Sequence, residues 1–422
     1  MAKPKIIVIG AGPSGMFAAG EASKQGAEVI ILEKKPMAGI KLRITGKGRC
    51  NLSNIAPIPE FISRFGKNGK FLRQAFHSFF SPDVAKIFRD MGVDIQTERG
   101  GRIFPKDNDA PAVALALIKW TEQQGVEIKT NSAVTDLIIE NNVIKGVKTE
   151  NQDYFANRVI LTTGGASYPV TGSKGDGYAF AKMLGHTIVP IRPALVPLEV
   201  KGDIAERLNK LHLKNVNARV FADGKKTGER FGELFFRSNT LAGPIILSLS
   251  RNIVDQINDG IKNIIFTIDL KPALDHKKLD ARLLRELEAN NKTPIGKILE
   301  SLLPKQLIEI CLEQTEIPFE TLGNQISAEF RKKLRLWLKD FKMEITGYRP
   351  FKEAIITQGG VSTDEIKPKT MESKLISGLY IAGEVLDVNG DTGGYNLQAS
   401  FSTGWLAGHS AALSCLTQEN AK

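Results

Sequence analysis

The sequence predicts an α/β protein in which one nucleotide-binding domain is interrupted by an insert. Apolar, β-branched runs typical of buried parallel strands occur at residues 6–9 and 29–32 and return at 353–357. Residues 191–272 alternate as β-strands do, whereas residues 275–344 carry Leu, Lys, Glu and Arg at helical spacing. The expected domains are residues 1–190 with 346–422 (Rossmann-like), 191–273 (a β-barrel-like insert) and 274–345 (a helical subdomain).

The first strand runs into the glycine loop GAGPSG, which opens a helix. Gly10 permits a tight turn, Gly12 lets backbone amides approach phosphates, and Gly15 permits close helix–strand packing. The helix N-terminus adds partial positive charge that favours a pyrophosphate. Glu33 ends the next strand, where its carboxylate would accept hydrogen bonds from a ribose and repel a 2′-phosphate. This segment predicts a dinucleotide and disfavours NADP here, but it leaves FAD and NAD both open.

A second glycine pair, Gly164 and Gly165, follows another buried strand at residues 158–163, so backbone approaches a ligand there as well. The C-terminal stretch SGLYIAGEVLDVNGDTGGYNLQASFSTG then favours FAD over NAD. Its strand reaches Gly383 and Glu384, passes a loop, and enters a glycine-opened helix. An extended FAD needs such additional groups for its ribityl chain and ring, whereas NAD needs only the first loop.

Composition excludes several other classes of function. Three cysteines lie far apart without a CxxC pair, and five histidines show no metal-ligand spacing, so we expect neither a dithiol centre nor a metal. No apolar run is long enough to span a membrane, and the N-terminal apolar stretch lacks a cleavage site, so a cytoplasmic protein without membrane contact is expected. The formal net charge of +11 is compatible with nucleic acid, with a membrane surface or with small anions, and composition alone does not choose among them.

The chain resembles the BaiN/RdsA-type bacterial NAD(P)/FAD-dependent oxidoreductases, some of which carry an aminoacetone-oxidase label. The resemblance covers nearly the whole chain. It implies a Rossmann-like FAD domain interrupted by a β-barrel-like insert and a helical piece. The stretches that carry it are GAGPSG with Glu33, KLRITGKGRCNLSN, GRIFPKDNDA, TTGGASYPVTGSKGDGYAFAKMLGH, PALVPL and TMESKLISGLYIAGEVLDVNGDTGGYNLQASFSTG.

By this resemblance, the segment from Lys41 to Asn51 wraps the pyrophosphate, the ribityl chain and one face of the flavin. Lys41 and Arg43 would offset phosphate charge, and Cys50 would pack as a small buried thiol near the ring. Motifs and resemblance together give the expected cofactor-binding residues, which are Gly10, Gly12, Ser14, Gly15, Glu33, Lys41, Arg43, Thr45, Gly46, Gly48, Arg49, Cys50, Asn51, Ala133, Val134, Gly164, Gly165, Gly383, Glu384, Asp387, Asn396, Leu397 and Gln398.

Candidates for substrate chemistry are Arg102, Tyr168, Arg237 and Tyr395. Reduction of an activated double bond needs a cation or donor at the acceptor's carbonyl and a proton donor at the far carbon, roles that suit arginine and tyrosine. One stretch departs from the family, because Arg237 and Ser238 stand where Thr-His is expected. A family role for that histidine therefore does not transfer to this chain.

The leading hypothesis is an FAD oxidoreductase that takes hydride from NAD(P)H, bound only transiently, and reduces a small organic acceptor such as a conjugated enone. One alternative is a flavin amine oxidase that uses oxygen, and another is an RNA-binding flavoprotein. The RNA hypothesis ranks lower because no RNA-module signature or interleaved aromatics occur, so no nucleic-acid partner is expected. The oligomeric state stays open.

Overall fold

The computed structural model describes residues 3–419, which form two compact units. The sheet unit comprises the described residues up to Pro193 and from Ala354 onward, and the barrel unit is Ala194–Glu353.

The strands, in chain order, are β1 Lys5–Ile9, β2 Glu28–Leu32, β3 Ser53–Asn54, β4 Ile95–Glu98, β5 Arg102–Pro105, β6 Glu127–Lys129, β7 Val134–Glu140, β8 Val143–Thr149, β9 Asp153–Phe155, β10 Arg158–Leu161, β11 Ile188–Ala194, β12 Leu198–Val200, β13 His212–Ala222, β14 Lys225–Arg237, β15 Thr240–Ala242, β16 Ile264–Asp269, β17 Phe341–Tyr348, β18 Ile356–Val361 and β19 Leu379–Ile381. The α-helices are α1 Pro13–Lys24, α2 Ile58–Ser63, α3 Arg73–Ser78, α4 Ser81–Asp90, α5 Ala110–Gln123, α6 Asp176–Met183, α7 Ile204–Arg207, α8 Pro244–Asn258, α9 His276–Ala289, α10 Ile295–Ile298, α11 Lys305–Thr315, α12 Ala328–Lys339 and α13 Tyr395–Glu419.

The sheet unit is built on a five-stranded parallel sheet in the order β19-β10-β1-β2-β6. Its central strands β1 and β10 are buried almost along their whole length, as their continuous apolar runs predict. Because the strands are parallel, the segments after β1, β10 and β19 all leave the sheet at its carboxyl edge. Ligands of open α/β sheets bind at this edge.

Helices α1 and α13 pack against each other through glycines rather than through side chains. A Cβ atom at Gly404 would lie 2.2 Å from the carbonyl oxygen of Ser14, and one at Gly408 would lie 2.0 Å from that of Ala18. Only glycine permits this approach, so the C-terminal helix lies directly on the helix that follows the glycine loop.

The barrel unit contains a closed barrel in the order β12-β15-β14-β13-β16-β17. Its apolar core continues into the faces of α9–α12, the helical part. Residues 341–345, expected to be helical, instead begin β17, where Phe341, Met343 and Ile345 are buried and alternate with more exposed neighbours. Alternation of buried and exposed residues with a period of two is typical of a strand, and the helical prediction did not take it into account. No helix among residues 3–419 is long and apolar enough to cross a membrane.

Candidate functional site

The glycine loop lies at the carboxyl edge of β1 and has the geometry that its sequence predicts. Gly10 has φ +100°, and a Cβ atom there would lie 2.9 Å from the Thr162 carbonyl oxygen after β10. At Gly15 a Cβ atom would lie 2.0 Å from the Gly10 oxygen. Around Gly12, by contrast, a Cβ atom would meet nothing within 4 Å. The loop is therefore tightly packed on both sides of one open position at the N-terminus of α1.

Buried hydroxyl groups near this loop have no partner among the described residues. The Ser14 side chain in the first turn of α1 and the Thr163 hydroxyl after β10 are both in this state, and Thr163 Oγ1 faces α6, where a Cβ atom at Gly177 would lie 2.1 Å from it. A buried hydroxyl without a hydrogen bond is costly, so such groups indicate a ligand that accepts from them. With the open space at Gly12 and the positive end of α1, the Ser14 hydroxyl fits the pyrophosphate of a dinucleotide.

Glu33 lies at the end of β2 beside the same loop. Its carboxylate accepts hydrogen bonds from the backbone amides of Ala11 (2.9 Å) and Lys35 (2.9 Å), one on each oxygen. Each oxygen keeps a further lone pair, so the predicted bond to a ribose hydroxyl fits alongside these contacts. Ser132, immediately before Ala133 and Val134, donates its backbone amide to the Glu33 carbonyl, so the expected adenine-side backbone starts next to Glu33.

A polar cluster joins four segments at the carboxyl edge, and we call it the Lys41–Glu384 network. The Lys41 ammonium donates to Ser167 Oγ (2.6 Å) and Glu384 Oε2 (2.7 Å). The other Glu384 oxygen accepts from the Thr357 amide (2.9 Å) and the Ser167 hydroxyl (3.2 Å). Lys41 was expected to offset phosphate charge, but here it neutralises Glu384, because both side chains are about four-fifths buried and each is the other's nearest counter-ion.

The rest of the 41–51 segment combines tight turns with side chains held by protein groups. Gly46 and Gly48 have φ of +59° and +84°, and Thr45 Oγ1 donates to the Leu42 carbonyl (2.8 Å). Arg49 pairs with Glu98 and stacks on Phe104, so it does not face a phosphate through that contact. Arg43 Nε, in contrast, is buried without a partner among the described residues, as expected of a group that binds a ligand.

Cys50 follows this segment and is fully buried, with φ +57°. Burial raises the pKa of its thiol to about 12, although a hydrogen bond with Thr45 acts in the opposite direction. Burial also raises the pKa of Cys311, and Cys415 is buried too. A thiol of this kind is a packing group and not a nucleophile at neutral pH.

We therefore expect Ellman's reagent at pH 8 to label essentially no thiol in the native protein and all three after denaturation. At that pH a thiol with the pKa of Cys50 is ionised in about one molecule in ten thousand, and the reagent reacts with the thiolate. A rapidly labelled native thiol that disappears in Cys50→Ser would contradict the packing role.

The N-terminus of α13 faces the loop after β19. The Asn396 side chain accepts from the Gly390 amide (2.7 Å) and donates to the Gly390 carbonyl (2.9 Å), which closes that loop. The Gln398 amide donates to Gly394 O (3.1 Å) inside the helix, so it is not the exposed donor expected from the sequence. The amides of Asn396 and Leu397 precede this first helical bond and remain the candidates for a ligand.

Side chains bind this helix end to neighbouring strands. Gln398 accepts from Ser53 Oγ (2.6 Å) and donates to Ser402 (2.9 Å) in a buried chain. Asn51, in the amide orientation that satisfies its neighbours, accepts from the Gly394 amide (2.9 Å). Asp387, in the same loop, accepts from Asn68 Nδ2 (2.8 Å). These contacts fix the loop and helix start whether or not a ligand is present.

Three of the four candidates for substrate chemistry lie in the sheet unit, and the fourth lies in the barrel unit. Arg102 pairs with Asn54 in the β3–β5 ladder, and Asn54 Nδ2 donates to Gly393 (3.0 Å), two residues before Tyr395. Arg102 and Tyr395 are therefore attached to the same strand. Tyr395 packs edge-on against Phe61, and burial raises the pKa of its phenol.

Tyr168 has φ +51° and follows Ser167 of the Lys41–Glu384 network. Gly165, in the same loop, could not carry a Cβ atom, which would lie 2.5 Å from Thr357 Oγ1. Arg237 belongs to the barrel unit, where it is an exposed residue at the end of β14 paired with Thr240. The structure thus attaches Tyr168, Arg102 and Tyr395 to the sheet-unit site and describes Arg237 only within its own barrel.

Sequence reasoning did not single out several residues that build this site. Ser167 and Thr357 complete the Lys41–Glu384 network, Ser53 and Asn54 hold the start of α13, and Thr163 offers an unpaired hydroxyl. A usable signal was present for one of them. Ser167 stands just after a strand and a glycine pair, a position where parallel strands place functional groups.

Comparison with known proteins identifies the fold family. Residues 4–410 match the family model described as the HI0933-like protein Rossmann domain. The chain is 32% identical over 414 residues to the 3-dehydro-bile acid delta(4,6)-reductase of Clostridium scindens, covering 97% of this chain and 99% of that protein. It is 28% identical to the ribosomal RNA dihydrouridine synthase of Escherichia coli, covering 94% and 96% of the two chains.

Solved structures show the same architecture at lower identity. The 3-ketosteroid-delta4-(5alpha)-dehydrogenase of Rhodococcus jostii superposes with a TM-score of 0.54 at 15% identity, covering 97% of each chain. This likeness concerns the fold alone. Together with the family match it confirms the predicted Rossmann-like FAD-binding class with a barrel and a helical part.

Proposed function

Because the chain belongs to the HI0933-like family of FAD-type oxidoreductases, we propose that it reduces a carbon–carbon double bond conjugated to a carbonyl group, using NADH or NADPH as donor. Bound FAD supplies a ring that accepts hydride from a donor and passes it to an acceptor. The protein supplies the binding groups, the proton and the charge that orient the acceptor.

The observation that carries this proposal is the open space at Gly12, at the N-terminus of α1 and the carboxyl edge of the sheet. The buried Ser14 hydroxyl has no hydrogen-bond partner among the described residues, and Gly12 leaves room for a phosphate beside it. In this proposal Glu33 lies at the ribose end of the expected FAD, the start of α13 lies at the ring end, and Gly383 lies between them beside the glycine loop. A Cβ atom at Gly383 would lie 2.9 Å from Ser14 Cβ, so the two motifs meet.

The names of the whole-chain relatives support the choice of acceptor. One relative is called a delta(4,6)-reductase of 3-dehydro-bile acids and another a dihydrouridine synthase. Both names describe saturation of a ring double bond. We infer the same reaction type for this chain, and the substrate itself is not assigned from either name.

Tyr395 and Tyr168 are the proposed proton donors. A tyrosine phenol is protonated at neutral pH, and burial raises the pKa of Tyr395 further, so its phenol stays a hydrogen-bond donor and would release a proton only to a basic carbon or oxygen of the acceptor. Tyr168 is held by the neighbouring bonds of Ser167 to Lys41 and Glu384. Arg237 stays a candidate whose role depends on the barrel unit.

A second candidate function is reduction of a base in RNA. The net charge of +11 and the E. coli relative favour it, so the expected absence of a nucleic-acid partner has no support and is withdrawn. A polynucleotide substrate would show binding that weakens steeply with salt, because phosphate contacts release counterions.

Anaerobic absorbance spectroscopy of the purified protein tests the proposal. We expect the protein to be yellow, to release FAD on denaturation, and to lose its flavin band on addition of NADH or NADPH. An α,β-unsaturated ketone should then restore the band faster than dissolved oxygen does. Cys50→Ser, with FAD bound, should behave as wild type. Reduction by a small amine but by neither nicotinamide would replace this proposal with the oxidase alternative.

A further inference from the structure

The turn between β4 and β5 is a fixed platform next to the site. Gly100 and Gly101 form it with φ of +80° and +74°. The Gly101 carbonyl accepts from the Ile55 amide (2.8 Å), and the Gly100 carbonyl accepts from Asn54 Nδ2 (2.9 Å). Bonds from β3 and from the residue after it therefore hold both carbonyls of this turn through protein groups alone.

Arg102 is the side chain that this platform presents. Its Nε donates to the Arg99 carbonyl (3.1 Å), and its guanidinium lies 5.5 Å from the centre of the Phe104 ring. The Glu98 carboxylate forms an ion pair with Arg102 through one oxygen, at 3.7 Å from Nη2 and so longer than a hydrogen bond, and pairs with Arg49 through the other. Across residues 3–419, no acceptor lies within hydrogen-bond distance of Nη1 or Nη2 of Arg102. The Nε edge of the guanidinium is therefore hydrogen-bonded to the protein, and the Nη1–Nη2 edge can donate to a ligand.

Charge at this turn is unbalanced. Arg49 and Arg102 share Glu98 as their ion-pair partner, and Arg99 is exposed without a side-chain partner in the described part of the chain. The excess attracts an anion, and a guanidinium edge binds carboxylate or phosphate oxygens in pairs.

The location links this edge to the reaction site. Asn54 Nδ2 donates to Gly100 O (2.9 Å) and also to Gly393 O (3.0 Å), two residues before Tyr395. The platform and the start of α13 are therefore joined through one amide group. An anion on Arg102 would lie beside the expected ring-binding end of the site.

We propose that Arg102 is a substrate-recognition residue that binds a carboxylate of the acceptor, so that the substrate is a small organic acid carrying the conjugated double bond. This inference rests on the proposed function and names its substrate class. A small acid is favoured over a polynucleotide because single-stranded nucleic acid is held by bases stacked on exposed aromatic rings. Phe104, the ring at this turn, is 4% exposed and covered by Arg49.

The test is protection of Arg102 from phenylglyoxal in the FAD-loaded protein, followed by peptide mass spectrometry. Two matched pairs of probes are used: trans-cinnamate with cinnamamide, and 3-oxochol-4-en-24-oate with its methyl ester. At saturation, we expect at least one acid to slow modification of Arg102 by about tenfold, as a bidentate charged contact implies, and its neutral partner to slow it less than about twofold. Arg89, exposed on α4, is the internal control and should react at one rate throughout.

The outcomes separate this inference from the proposed function. If neither acid protects Arg102 better than its neutral partner, the recognition role is wrong; protection by a uridine 12-mer alone would favour the nucleic-acid alternative. Arg102→Ala should abolish the preference of binding for acid over neutral probe, Arg102→Lys should keep part of it, and Arg89→Ala should keep all of it. Reoxidation of the reduced protein by the methyl ester tests the reaction independently, because the ester retains the double bond and lacks the anion.

Discussion

Gly12→Val is expected to abolish FAD binding and to leave the apoprotein folded. Gly12 has φ −81° and ψ 179°, an extended conformation that valine adopts readily. A Cβ atom there meets no protein atom within 4 Å. The new side chain would instead fill the space in which a pyrophosphate reaches the amides of α1. We expect FAD affinity to fall by at least about a hundredfold, or roughly 3 kcal/mol.

Fluorescence titration of the apoprotein with FAD measures this loss, and thermal unfolding of the apoprotein measures the fold. The unfolding free energy of Gly12→Val apoprotein should stay within about 0.5 kcal/mol of wild type, as for a surface substitution. Gly15→Ala is the matched control, because its Cβ would lie 2.0 Å from Gly10 O and should destabilise the apoprotein itself. Normal FAD affinity in Gly12→Val would refute the assignment of the loop.

Glu384→Ala is expected to destabilise the protein by about 2 kcal/mol and to weaken FAD retention. The substitution removes the counter-ion of Lys41 and the acceptor of Thr357 and Ser167. Leaving a buried ammonium without its counter-ion costs several kcal/mol in a dry interior. These side chains keep about a fifth of their exposure, which reduces the cost.

Urea unfolding of the single and double variants isolates the ion pair. Lys41→Met alone should also destabilise the protein, and adding it to Glu384→Ala should cost less than the sum, with a coupling of about 1 kcal/mol. Glu384→Gln keeps an acceptor for Thr357 and should lie between wild type and alanine. Strict additivity would show that Lys41 and Glu384 do not stabilise each other.

The sequence predicts the glycine-loop end of the site because that end is local. β1, the loop, α1, β2 and Glu33 are contiguous, so each residue's position follows from the periodicity of one segment. The fold class was predictable for a similar reason. Buried apolar runs predict the parallel strands, period-two alternation predicts the barrel strands, and helical spacing predicts the helical part. Residues 341–345 show the limit of this reasoning. They begin a strand directly after α12, and Lys342 and Glu344 within them match the charged composition of that helix.

The remaining part of the site depends on partners that are far apart in sequence. Lys41 bonds to Glu384 across 343 positions, and Gln398 bonds to Ser53 across 345. A positive side chain in a phosphate-binding segment can pair either with the phosphate of a ligand or with a carboxylate that is distant in sequence. The neighbouring residues do not show which of the two it will be. Arg49 shows the same ambiguity, which Glu98 resolves in the folded chain.

The order of strands in the sheet unit has a consequence for synthesis on the ribosome. β10 lies between β1, at the beginning of the chain, and β19, near its end, and α13 covers α1 through Gly404 and Gly408. A nascent chain therefore exposes one face of α1 and one edge of β10 until the last segment emerges, on the order of tens of seconds later. The barrel unit, Ala194–Glu353, is contiguous and can fold in that interval. A ribosome that stops before β19 would release a chain in which β10 lacks one neighbour and α1 lacks the cover of α13, and such exposed apolar surface is bound by chaperones or cut by proteases.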